Sequence, residues 1–145
     1  MDVTAIAVDG GNSKTEALLV RSDGTVAASA RGAGFRPQID GVDAAMTVLA
    51  GVVGALDVSR PVELMSAYLA GADLPEEEAV LHDRISAARW ARRITVGNDT
   101  IALLRSGAPE RWGVAVVCGA GINAVGVAPD GRIARFPAIG ELTGD

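Results

Sequence analysis

Asp9-Gly10-Gly11-Asn12-Ser13-Lys14-Thr15 stands between two apolar runs, Val3–Val8 and Ala17–Val20. A run, a glycine turn and a second run predict a β-hairpin. A glycine turn of this kind presents backbone N–H groups in a concave nest, and such nests bind phosphate. The same arrangement returns late in the chain, where Gly119-Ala120-Gly121-Ile122-Asn123 separates Val114–Cys118 from Ala124–Val127. Two such turns predict two jaws on one polyphosphate.

Around the first hairpin the pattern extends in both directions. Val3–Val8 is nearly all apolar, as expected for a strand covered on both faces. Ser22-Asp23-Gly24 marks a second turn, and Thr25–Ala30 completes a three-stranded meander. Gly32 to Pro37 reads as a loop. Val42, Ala45, Met46, Leu49, Val52, Val53 and Leu56 recur at helical spacing, so this segment buries one stripe, with Asp40 or a neighbour as its cap. Val62–Leu69 is a strand. A second helix starts at Pro75-Glu76-Glu77-Glu78, where proline and acids suit the first turn, and Arg89, Arg92 and Arg93 fall near its other end. Ile94-Thr95-Val96 is a short buried strand, and Thr100–Leu104 opens a third helix.

After this βββαβαβα order, Gly113–Cys118, Ile122–Val127 and Arg132–Phe136 repeat the meander. Asp130-Gly131 stands where Asp23-Gly24 stood, a weak internal duplication. No helices follow to cover the second meander, and a lone three-stranded sheet is a poor unit. A longer chain, or completion by another chain, is therefore expected.

Composition narrows the class. The 145 residues suit one domain, or one lobe and part of another, and 49% of them are apolar. The net charge of −5 argues against nucleic acid as a partner. Lys14, inside the first glycine turn, is the only lysine. Cys118 and His82 are each the only one of their kind, which excludes a disulfide framework and a Cys/His metal cluster. Cys118 is expected to be a small buried hydrophobe, His82 to be on the surface, and the three glutamates to offset a helix dipole. The opening residues lack a basic n-region, and no stretch reaches the ~20 apolar residues of a span. A cytoplasmic protein with no membrane partner is expected.

Five stretches in this order carry a resemblance: Val8 to Thr15, Ala70-Gly71-Ala72-Asp73, Gly97-Asn98-Asp99-Thr100, Val117 to Asn123, and Gly140-Glu141-Leu142-Thr143-Gly144-Asp145. The chain resembles the sugar-kinase/actin/Hsp70 ATPase superfamily, and within it the N-acetylglucosamine kinases, close to the BadF/BadG-type ATPases. The resemblance implies an α/β fold: a ribonuclease-H-like lobe with a mixed five-stranded sheet over residues 1–108, and the opening meander of a similar second lobe over 109–145. It stops about halfway through a typical member.

The same resemblance implies roles. ATP would lie between the lobes, with Gly10, Gly11, Asn12, Ser13, Lys14 and Thr15 as the first phosphate loop and Gly119, Ala120 and Gly121 as the second. Asp9 would hold Mg²⁺, and Asp99 would be the general base and touch substrate. Arg36, Ile122, Asn123 and Asp145 would also line the sugar site. The implied activity is transfer of the γ-phosphate of ATP to a hydroxyl of N-acetylglucosamine or a related amino sugar. The alternatives are a BadF/BadG-type ATPase activator, against which a single strand-borne cysteine speaks, and a non-catalytic sugar- or nucleotide-sensing module. The chain alone would be inactive, because the adenosine pocket would lie beyond it; a homodimer is left open.

Two departures from the family pattern bear on these roles. Ala120 and Ile122 stand where members often carry Thr or Ser, removing two hydroxyl donors. Arg36 lies in a loop where members often carry a sugar-contacting Asn, which opens the site to an acidic or phosphorylated sugar. From residues alone, Asp99 reads more readily as a helix N-cap than as a base, the two roles being compatible, with Asn98 the other candidate cap.

Overall fold

A computed structural model describes residues 2–118 and 122–136. It contains β1 (Val3–Gly10), β2 (Thr15–Arg21), β3 (Val26–Gly32), α1 (Pro37–Asp40), α2 (Val42–Gly54), β4 (Val62–Leu69), α3 (Pro75–Ala88), β5 (Ala91–Asn98), α4 (Asp99–Gly107), β6 (Gly113–Cys118), β7 (Ile122–Val127) and β8 (Ile133–Arg135). The first five strands form one mixed sheet in the order β3-β2-β1-β4-β5. β1–β2 and β2–β3 are antiparallel; β1–β4 and β4–β5 are parallel. The last three strands form a separate antiparallel meander, β6-β7-β8.

Alternation along the strands decides the layers. Ile6 and Val8 of β1, Ala17 and Leu19 of β2, and Met65, Ala67 and Leu69 of β4 are buried on one face. The stripe of α2, with Ala45, Met46, Leu49, Val52 and Val53, and Leu81 and Ile85 of α3 complete that core. On the other face Ala5 and Ala7 are only half-buried, and Asp9 is exposed. The expectation that β1 is covered on both faces is thus corrected: α4 is the only helix packed against this side among the described residues, and it spans little of it.

α4 also packs against β6 and β7. Its Leu104 joins Ala115 and Val125 in a small second core. Among the described residues, one face of β6 is open. Val114 and Val116 are exposed, and so is Cys118 at the next position on the same face. Cys118 is therefore not the buried hydrophobe expected of it, because no described residue covers that face.

Several local readings change for identifiable reasons. The loop before α2 contains a helical turn, α1, with Pro37 at its start. Asp40 does not cap α2; its carboxylate is taken by Arg36, and Gly41, with φ +85°, is the N-cap residue without a side-chain bond. Arg92 and Arg93 lie on β5, facing Glu63 of β4, not on α3. Arg89 ends α3 in a left-handed conformation. Glu77 does more than offset a dipole: its carboxylate accepts the N–H groups of Asp73 and Leu74 at 3.1 and 3.0 Å, closing the start of α3.

Candidate active site

Parallel register puts the candidate residues on one edge. Gly10 pairs with Leu69, and Leu69 with Asn98. The carboxyl ends of β1, β4 and β5 therefore coincide, and Asp9, Ala70–Asp73 and Asn98–Asp99 emerge together. Ligands of open α/β sheets bind at this end of the strands.

The β1–β2 connection is built by close packing. A side-chain carbon on Gly10 would fall 2.6 Å from Leu69 Cδ2, and one on Gly34 would fall 2.0 Å from the Asn12 carbonyl oxygen. Phe35, fully buried, donates its N–H to the Gly11 carbonyl at 2.8 Å, and the Thr15 hydroxyl donates to the Ala33 carbonyl at 2.8 Å. The Ala70 N–H donates to the Gly10 carbonyl at 2.6 Å. Neither Gly10 nor Gly11 has positive φ. These glycines are required by the approach of neighbouring chain, not by left-handed backbone. The Gly11 N–H is already spent on the Lys14 carbonyl at 2.9 Å. Among the described residues nothing accepts from the amides of Asn12, Ser13 and Lys14, so three donors remain for an anion. Lys14 itself pairs with Glu16 at 2.8 Å.

α4 begins at the edge. Asn98, almost fully buried, is its N-cap: the side-chain oxygen accepts the Thr100 N–H at 2.9 Å and also the Thr100 hydroxyl. Asp99 is the first helical residue; Asn98 makes the cap bonds, and the N–H groups of Thr100 and of Asp99 itself also face the Asp99 carboxylate. Burial raises the Asp99 pKa, and the charges of Asp73 and Asp9 raise it further. Asp99 thus sits within the field of two carboxylates, Asp73 and Asp9, at this edge.

Asp73 is the site residue to which no role was attached in the sequence. One carboxylate oxygen accepts the side-chain amides of Asn98 at 2.7 Å and Asn123 at 2.9 Å. Burial raises its pKa as well, with the Asn123 bond opposing that shift. From β8, Arg135 donates to the carbonyls of Ala72 and Asp73 and pairs with Glu78 at 2.7 Å. The second meander is thus fastened at this edge by Asn123 and Arg135. In the sequence Asp73 closes the Ala70-Gly71-Ala72-Asp73 stretch that follows β4, one of those that carry the resemblance, with no role attached to its carboxylate.

The other candidates are placed as follows. Arg36 immediately precedes α1 and is held by Asp40, with Nε–Oδ2 2.9 Å. Ile122 is exposed at the start of β7. Gly119, Ala120, Gly121 and Asp145 lie outside the described residues. An open groove of about 780 Å³ runs from Asp9 over the half-covered sheet face, lined among others by Glu16, Leu18, Ser66, Tyr68 and Ala102.

A mixed five-stranded sheet followed by a second meander, with α4 between them, defines the class: this is the fold of the actin-like ATPase sugar kinases. No family model matches the chain. The N-acetylmuramic acid/N-acetylglucosamine kinase of Clostridium acetobutylicum is 34% identical over 76 residues, 52% of this chain and 25% of that protein. Among solved structures, a protein assigned as an N-acetylglucosamine kinase from Porphyromonas gingivalis superposes with a TM-score of 0.75 at 21% identity, over 98% of this chain and 50% of its own. A ROK-family glucokinase from Streptomyces griseus, solved with glucose and AMPPNP, gives 0.61 at 22% identity, over 96% and 50%. The resemblance to the sugar kinases therefore stands. The chain spans about half the length of these structures and a quarter of the curated relative. No helix among the described residues is long and apolar enough to cross a membrane.

Proposed function

We propose that the protein carrying this chain is an ATP-dependent sugar kinase that phosphorylates a hydroxyl of N-acetylglucosamine or a related amino sugar, with Asp99 as general base. The observation that carries this reading is the Asp99 carboxylate. It sits at the start of α4, where Asn98 rather than Asp99 is the N-cap, and burial raises its pKa at the edge shared with Asp9 and the β1–β2 loop.

Phosphoryl transfer needs positioning, charge neutralisation and an oriented nucleophile. The amides of Asn12, Ser13 and Lys14 would hold phosphate oxygens. Asp9, an exposed hard-oxygen donor at the same edge, fits Mg²⁺, which when bound offsets phosphate charge. Gly119, Ala120 and Gly121 would supply the opposing phosphate loop. Asp99 would accept the proton of the attacking hydroxyl. Asn123, Ile122 and Asp145 would line the sugar on the second-lobe side. Arg36 could reach an acidic sugar only by leaving Asp40. The whole protein would be needed for turnover, and this chain alone would bind ATP weakly.

The test is a coupled ADP-release assay on the intact protein with N-acetylglucosamine, N-acetylmuramic acid and glucose. Asp99→Asn should lower kcat by ~10²–10⁴-fold, the usual worth of general-base assistance, with ATP affinity nearly intact. The cap should survive, since Asn98 provides it. A carboxylate whose folded pKa lies above its unfolded value stabilises the fold most at low pH, and that advantage is lost as pH rises through the folded pKa. At neutral pH the ionised Asp99 is thus a burden, and Asp99→Asn should melt no lower than the parent. The acid limb of the kcat profile should lie above the ordinary aspartate value of 3.8. Full activity in Asp99→Asn would end this reading.

A further inference from the structure

We propose that Asp73 is a positioning residue: a single carboxylate that clasps the second meander to the first sheet and fixes Asn123 relative to the start of α4. The inference rests on the kinase reading above for its catalytic consequence, but not for the clasp itself.

Asp73 Oδ1 receives two side-chain amides that come from different sheets, Asn98 at the end of β5 and Asn123 at the start of β7. Donating to Asp73 fixes the Asn98 amide so that its oxygen faces Thr100 and caps α4. A continuous chain of bonds therefore runs from Asn123 through Asp73 and Asn98 to the turn that presents Asp99. The backbone of Asp73 is immobilised on both sides, its N–H by Glu77 and its carbonyl by Arg135. Its second oxygen faces Gln38 of α1 at 3.4 Å. That approach is open because residue 71 is glycine: a side-chain carbon there would lie 2.5 Å from Gln38 Oε1, and φ is +77°. A half-buried acid otherwise disfavoured by burial and by neighbouring Glu77 is retained at the one point where three segments converge. Bonds to a charged group are the stronger kind, so removing this acceptor strands two amides at once.

A double-mutant cycle on the intact protein tests this, using Asp73→Ala, Asn123→Ala and the pair, with Asp73→Asn as the conservative variant. Asp73→Ala should raise the sugar KM about tenfold or more and lower kcat, while the ATP KM stays within about twofold. Asn123→Ala should add little in the Asp73→Ala background. Asp73→Asn keeps an acceptor oxygen and should recover most of the sugar KM. A merely structural role would move both KM values together and leave the two substitutions additive. Unchanged sugar KM in Asp73→Ala, or full additivity, overturns the proposal. If the parent phosphorylates no amino sugar, or Asp99→Asn stays active, the kinase reading fails instead. The same cycle read by denaturant unfolding then decides the clasp, with non-additive stability supporting it and additive stability overturning it.

Discussion

The two meanders share a turn and differ in everything that covers them. In the first, the Asp23 carboxylate accepts the Thr25 N–H at 3.0 Å, Gly24 has φ +84°, and the Gly24 N–H donates to the Arg21 carbonyl. In the second, Asp130 accepts the Arg132 N–H at 3.1 Å, Gly131 has φ +85°, and the Gly131 N–H donates to the Ala128 carbonyl. Even the closing bonds match, Arg21 N–H to Thr25 and Ala128 N–H to Arg132. Yet the first meander backs onto α2 and a continuous core, whereas among the described residues the second buries only Ala115 and Val125, against Leu104 of α4. Local sequence specifies the turn. The covering layer determines how firmly the strands are held.

This contrast is broken or sharpened first by the cores. Leu49 is completely buried in the large core, and Leu104 is the centre of the small one. Truncating either to Ala should cost about 2–5 kcal/mol locally. Leu49→Ala should lower the stability of the whole first sheet. Leu104→Ala should release β6–β8 while β1–β5 stay protected, because so few buried contacts join the second sheet to the rest. Hydrogen exchange read strand by strand distinguishes the two. Uniform loss of protection in Leu104→Ala would show that both meanders form one cooperative unit.

A smaller effect probes the first hairpin. Gly34→Ala forces a methyl into the Asn12 carbonyl, which is backbone and cannot rotate away. Overpacking of this kind costs about 1–3 kcal/mol or more, and the β1–β2 loop must shift. In the intact protein, ATP KM should rise while sugar KM changes less. A normal ATP KM in Gly34→Ala would separate this loop from phosphate binding.

Most of the first sheet was legible because its signals are local: β4 has the bounds its apolar run gives, and α3 starts at Pro75. The candidate site was legible only in part. Asp9 and Asp99 come together because parallel register aligns the ends of β1 and β5, which follows from the fold once it is named. Asp73 was hidden because its importance lies in partners 25 and 50 residues away, which no spacing rule connects. Cys118 was misjudged because an apolar strand reads the same whether or not a layer covers it.

The smallest expected effect compares the turns themselves. Thr25 lowers the Asp23 pKa through its N–H and hydroxyl, and Arg132 lowers that of Asp130 through its N–H and side chain. A carboxylate depressed in the folded state contributes stability above its unfolded pKa, lost as pH falls through the folded value. Both turns should therefore loosen in acid, below the ordinary aspartate value of 3.8. Both groups are on the surface, so salt should weaken the effect. Asp23→Asn and Asp130→Asn each keep an oxygen for the turn but remove the charge, and should flatten the acid response at their own turn only. In the first meander the large core should mask the change in hydrogen exchange. In the second it should appear as faster exchange at Ala128 and Gly131. Equal acid responses at the two turns would mean that the covering layer does not govern turn stability, and the contrast between the meanders would reduce to exposed surface alone.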